Sequence, residues 1–184
     1  MLPIVLAVAL AASIAIWLAL AFNQLVRANN LVREAWSEID VQLKRRADLI
    51  PNLVATVRGY LQHERGLLES VTELRGRSLA AATPRERGAA ESALSRSLGT
   101  LVATAEAYPD LKANQSFLEL QRELSEIEDQ LQLARRYYDG AVREYNILAE
   151  SFPSNLAATA FGFRPAEYFE IEAPAERAVP AVAF

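Results

Sequence analysis

Cysteine is absent and histidine occurs once, at His63. The first absence excludes disulfides and thiolate chemistry; the second removes every multi-histidine metal site and most acid–base schemes. Glycine is scarce, with seven in 184 residues and none between Met1 and Arg58, so no glycine-rich loop there can cradle a phosphate. Seven Gly and eight Pro leave room for long helices and few turns. Basic residues do not predominate: 19 Lys and Arg stand against 23 Asp and Glu, and nucleic-acid binding needs a basic stripe. The length allows one domain and an accessory segment.

What is present begins with residues 2–22, which carry no charge and are interrupted only by Pro3 and Ser13. About 20 apolar residues at 1.5 Å rise cross a bilayer core of roughly 30 Å, and Pro3 falls in the first turn, where its missing N–H costs little. A cleaved signal peptide is the rival reading, with Ala19-Leu20-Ala21 as a peptidase site. Against it, no Lys or Arg precedes the run, and the run exceeds the usual length of about 7–15 residues. The expectation is an uncleaved anchor. Arg27 and Arg33 follow it closely, with Lys44, Arg45 and Arg46 beyond, so positive-inside orientation predicts N-out, C-in topology with the C-terminal domain in the cytoplasm.

From Asn23 onward apolar residues recur at helical spacing. Trp36, Ile39 and Leu43 form one stripe, and residues from Ile50 to Leu74 a second. A third runs from Leu94 to Tyr108. The fourth, from Phe117 through Leu124, Leu131, Tyr138 and Tyr145 to Phe152, alternates three and four residues without a polar exception, the seam of a long packed helix. Thr83-Pro84-Arg85-Glu86 is a capping box with Pro at the first helical position. Pro109 and Pro153 each end a stripe. Ser116 with Glu119 is a second capping box, with Asn114 as rival N-cap. Asp48 can N-cap a helix starting at Leu49, with Pro51 in its first turn; the alternative is one helix kinked at Pro51. Lengths favour the break, since the pieces then lie side by side.

The expected fold is therefore all-α. An N-terminal transmembrane helix, residues 1–23, continues into an up-and-down four-helix bundle over residues 24–151, its helices spanning 24–46, 49–80, 84–107 and 114–151. A short aromatic-rich amphipathic segment follows at 152–170, then a disordered tail at 171–184. In this scheme the run Lys44-Arg45-Arg46 closes helix one, where cations complement the dipole, and Asp48 opens helix two. Arg46 also lies on the apolar seam, where it can pair with an acid from another helix or subunit.

Several long motifs occur in order: "AWSEIDVQLKRRADLIPNLVATVRGYLQHE" (residues 35–64), "EAYPDLKANQSFLELQRELSEIED" (106–129), "ARRYYDGAVREYN" (134–146) and "SFPSNLAATAFGFRPAEYF" (151–169). With the apolar N-terminus, they make the chain resemble the LemA family over almost its full length. The resemblance implies a bacterial membrane protein with one N-terminal anchor and a four-helix bundle. It implies no agreed enzyme chemistry; a relative that acts in building magnetosome membranes points to membrane organisation.

Candidate sites are few. His63-Glu64 lacks a second His at the spacing of a zinc protease, and no Glu-x-x-His occurs. Glu119, Glu123, Glu126, Glu128 and Asp129 could hold a divalent cation or act as paired carboxylates, but such runs are commonly solvated faces. Tyr137, Tyr138 and Tyr145 with Arg135 and Arg136 suggest base stacking, yet Tyr138 and Tyr145 lie on the seam and read as core. Five of the thirteen Phe and Tyr fall in one short segment: Phe152, Phe161, Phe163, Tyr168 and Phe169. Ser154 can cap a short helix there and Gly162 end it. The segment could lie at the membrane interface, fold over its own bundle, or dock on a second subunit. The expectation is a non-enzymatic, cofactor-free scaffold, anchored in lipid and homo-oligomeric. A monomeric adaptor that recruits another protein is the alternative; no nucleic acid is expected.

Overall fold

The computed structural model describes residues 1–61 and 63–169, which form six helices and no strand. Gln62, Glu170 and the tail assigned to residues 171–184 lie outside the described residues. The helices are α1 (Leu2–Arg58), α2 (Arg65–Ala80), α3 (Pro84–Ala105), α4 (Pro109–Lys112), α5 (Gln115–Glu150) and α6 (Ser154–Phe161).

The break expected between residues 46 and 49 is absent: α1 is one helix through Pro51, and α2 starts only at Arg65. Two causes are visible. Pro51 lacks the N–H that would bond the Ala47 carbonyl, and Arg75 Nε donates to that oxygen instead at 2.5 Å. The buried positions Leu43, Ala47, Ile50, Val54, Val57 and Leu61 also stay in phase across Pro51, so the seam gives no reason to stop. Lys44 and Arg45 consequently face solvent in mid-helix, and Asp48 is an exposed helical residue and not a cap.

Other helix ends follow local chemistry. Thr83 Oγ1 accepts from the Glu86 amide at 3.2 Å while Glu86 Oε2 accepts from the Thr83 amide at 3.3 Å, a reciprocal capping box. Asn114, and not Ser116, caps α5: its Oδ1 accepts from the Phe117 amide at 3.1 Å. The third helix stops at Ala105, two residues before the expected end, and the one-turn α4 intervenes before α5.

The chain divides into two compact units, one of residues 1–38 with 136–167, the other of residues 39–135 with 168 and 169. In the second, α2 and α3 pack as a hairpin across a three-residue connection. Ile50, Leu53 and Val57 of α1, Val71 of α2, Leu94, Leu98 and Leu101 of α3, Leu111 of α4 and Phe117 of α5 form a single apolar core. In the first unit, Ala21, Leu25, Val32 and Ala35 of α1, Ala141, Val142 and Ala149 of α5, and Ala157 and Ala158 of α6 are buried. Small residues dominate that list, which permits close helix approach.

Residues 2–22 are different. Leu2, Leu6, Leu10 and Ile16 stay 73, 61, 64 and 62% exposed; α1 is exposed throughout residues 2–16, and burial within the chain begins only toward the end of the run, at Ala21. It is long and apolar enough to cross a membrane. Ser13 Oγ donates to the Ala9 carbonyl at 2.9 Å, which satisfies the run's one hydroxyl within the helix, as apolar surroundings require.

Candidate functional site

Two constellations stand out, one in each unit. In the second unit Arg46 is 2% exposed. Its Nη1 donates to Ser95 Oγ and to Glu128 Oε2, both at 2.8 Å, and its Nη2 donates to Glu91 Oε2. Glu91, 1% exposed, accepts at its other oxygen from Ser78 Oγ. One network thus touches α1, α2, α3 and α5. Burial pushes the Arg46 guanidinium down from its ordinary value, and the charge and hydrogen bond of Glu128 oppose that. An arginine does not deprotonate in proteins, so Arg46 stays a cation between the Glu91 and Glu128 carboxylates. What it does is set register: the planar fork reaches its acceptors only when α1, α3 and α5 are aligned. At its edge Arg87 pairs with Asp40 at 3.0 Å.

In the first unit the segment after α5 turns back and is tied down. α6 ends at Gly162, whose φ of 75° is left-handed; the Phe163 amide bonds the Ala158 carbonyl at 2.9 Å, closing a Schellman motif. Ser154 is the first helical residue and not the cap, its Oγ bonding the Ser151 carbonyl at 2.9 Å. Past Phe163 the chain leaves the helix, as Pro165 favours for the residue before it, and runs beside α5 as a strap. Tyr145 Oη donates to the Arg164 carbonyl at 2.8 Å and Tyr138 Oη to the Glu167 carbonyl at 2.7 Å. Asn146 meets the Ala166 backbone twice, Nδ2 donating at 3.0 Å and Oδ1 accepting at 2.8 Å. Burial first, then the negative charges of Asp139 and Glu167, push the Tyr138 hydroxyl up to about 12.

The five aromatics expected to act together do not share one environment. Phe161 and Phe163 meet Phe22 edge-on, at centroid separations of 4.8 and 5.8 Å. Phe152 is 80% exposed, Tyr168 is exposed, and Phe169 is fully buried, which removes Phe169 from any subunit or lipid contact. The other singled-out groups disperse. His63 is exposed between α1 and α2, Glu119 accepts from Gln115, and Glu126 lies 3.7 Å from Arg122 on an exposed face. Among the described residues no three His, Asp or Glu side chains gather as a metal ligand set. Sequence reasoning missed the strap's ties. The signal was there: a buried tyrosine hydroxyl seeks a partner, and residues 164–167 must satisfy backbone groups outside any helix.

The chain is 24% identical over 180 residues to magnetosome protein MamQ 2 of Paramagnetospirillum magneticum, covering 84% of this chain and 66% of that protein. It is 29% identical over 138 residues to protein LemA of Metamycoplasma hominis, covering 73% and 58%, and 22% identical over 165 residues to magnetosome protein MamQ of Magnetospirillum gryphiswaldense, covering 76% and 60%. The chain thus spans about three fifths to two thirds of the length of these curated relatives. The family model matches residues 35–184, from Ala35 in α1 through every later helix, and the chain belongs to the LemA family.

Proposed function

We propose that this chain is a single-pass structural protein of the bacterial cytoplasmic membrane, which self-associates and organises the membrane or a complex on it. The observation that carries the reading is the double duty of α1. Its apolar run stays exposed over residues 2–16, while its residues 39–58 supply the core of the second unit. Arg27 and Arg33 after the apolar run favour N-out, C-in topology. Relatives named for the magnetosome are consistent with a role at an assembled structure. The buried Arg46 network supports a structural role, because its fork joins α1 to α3 and α5.

Light scattering of the detergent-purified full chain, paired with crosslinking in intact cells, tests this. A discrete oligomer over a wide concentration range, with self-crosslinks in cells, is expected. A monomer that crosslinks to one different protein would replace the scaffold with an adaptor.

A further inference from the structure

The unpartnered apolar surface around α6 lies at the end of the anchor, not at large on the unit. Phe22 closes the apolar run, and both Phe161 and Phe163 pack on its ring. An independent measure gives the same level. The Trp36 and Tyr138 rings meet at 5.4 Å. From there α1 reaches Phe22 in 14 residues, roughly 21 Å, while α5 reaches Glu150 in 12, roughly 18 Å. With the helices antiparallel, α5 ends about two residues short of the level of Phe22.

The composition changes at that level. Residues 151–163 hold no Asp, Glu, Lys or Arg. Phe152, Leu156 and Phe161 are 80, 57 and 53% exposed, while Ala157 and Ala158 fasten α6 inward. Charge returns at Arg164, where the strap climbs beside α5, and at Arg27, about 8 Å along α1 from Phe22. Both arginines are exposed and stand at the depth of lipid headgroups if the run from Leu2 to Phe22 fills the hydrocarbon.

We propose that α6 and Phe152 form a second membrane contact, an apolar foot seated in the headgroup–acyl boundary of the leaflet that the anchor leaves. The inference rests on the membrane-spanning reading of α1. Aromatic rings favour that depth, a short apolar helix face lies in the interface plane, and cations beside it attract anionic headgroups. The occupant is lipid and not a second copy, because the patch is continuous through Phe22 with the face of the anchor that lipid already covers.

The lack of cysteine makes the test direct. Ile14→Cys, Leu156→Cys and Leu118→Cys are each made in the full chain and labelled with an environment-sensitive fluorophore. The proteins are reconstituted in phosphatidylethanolamine–phosphatidylglycerol vesicles, with nitroxide lipids spin-labelled either near the headgroup or deep in the acyl chain. The probe at Leu156 is expected to lose most of its emission to the shallow quencher, that at Ile14 to the deep one, and that at Leu118 to neither. Quenching at Ile14 without quenching at Leu156 overturns the foot and leaves the anchor standing. Loss of quenching at both overturns the anchor and the foot together. A Leu156 probe that lipids do not quench, and whose signal follows protein density in the vesicle, assigns the surface to a second copy and also overturns the proposal.

Discussion

Arg75 Nε donates to the Ala47 carbonyl at 2.5 Å, filling the acceptor that Pro51 cannot serve from within α1. A guanidinium on α2 thus replaces a backbone amide of α1 and lets a proline sit inside a continuous helix. Arg75→Met should then cost about 1–3 kcal/mol, the penalty for leaving a buried acceptor unmade. In a Pro51→Ala background the same substitution should cost much less, since the residue 51 amide can reach Ala47. Guanidinium unfolding of the four proteins in detergent, followed by circular dichroism, measures the coupling. Equal costs in both backgrounds would mean that Arg75 does not compensate for Pro51.

The Arg46 network makes a sharper pair of outcomes. Arg46→Met strands the Glu91 carboxylate in the interior, which should destabilise by about 3–5 kcal/mol. Adding Glu91→Leu should recover most of that loss, because Glu128 is 40% exposed and can hydrate. Arg46→Lys should fall nearer the single variant: one ammonium cannot span Ser95, Glu91 and Glu128. Thermal unfolding of the three variants orders them. A double variant no better than Arg46→Met would show that the buried pair itself, not the stranded charge, sets the stability.

Much of this was legible in the residues, for reasons that particular positions show. The charge-free run, the capping box at Thr83 and Glu86, and the C-terminal glycine at Gly162 are local signals, and local chemistry settles them. Pro51 misled because its effect depends on Arg75, 24 residues later, which no window around the proline contains. The phase of the seam through Leu43, Ala47, Ile50, Val54 and Val57 was the better guide, being a property of the whole helix. That Arg46 sits on the seam could be read directly. Its partners could not: Glu91 and Glu128 look like any acid on a solvated face until α3 and α5 are placed. The strap was illegible for the same reason, since Tyr138, Tyr145 and Asn146 reveal their roles only once residues 164–167 lie beside α5.

Asn146 gives the strap its reciprocal tie, and the two halves can be separated. Asn146→Asp keeps the acceptor for the Ala166 amide and removes the donor to its carbonyl; Asn146→Ala removes both. At about 0.5–1.5 kcal/mol per hydrogen bond, hydrogen exchange of the Ala166 amide should accelerate several-fold in Asn146→Ala and less in Asn146→Asp. Exchange mass spectrometry of the peptide covering residues 164–169 reads the difference. Unchanged exchange in Asn146→Ala would mean the tyrosine hydroxyls hold the strap alone.

Those hydroxyls make the strap sensitive to alkali, and the direction is fixed by burial. Tyr138 is held up to about 12, above the ordinary phenol value of about 10, so the fold favours its neutral, donating form. The stabilisation is complete below about pH 10 and is lost as pH rises through about 12, where the tyrosinate can no longer donate to the Glu167 carbonyl. Burial raises Tyr145 in the same direction. Trp36, its ring 5.4 Å from Tyr138, reports the event, because a neighbouring tyrosinate quenches indole emission. In a Trp17→Phe background the remaining tryptophan fluorescence should fall with a midpoint near pH 12, and Tyr138→Phe should abolish that step. A midpoint near pH 10 in the Trp17→Phe protein would mean that the Tyr138 hydroxyl is solvated and does not hold the strap to α5.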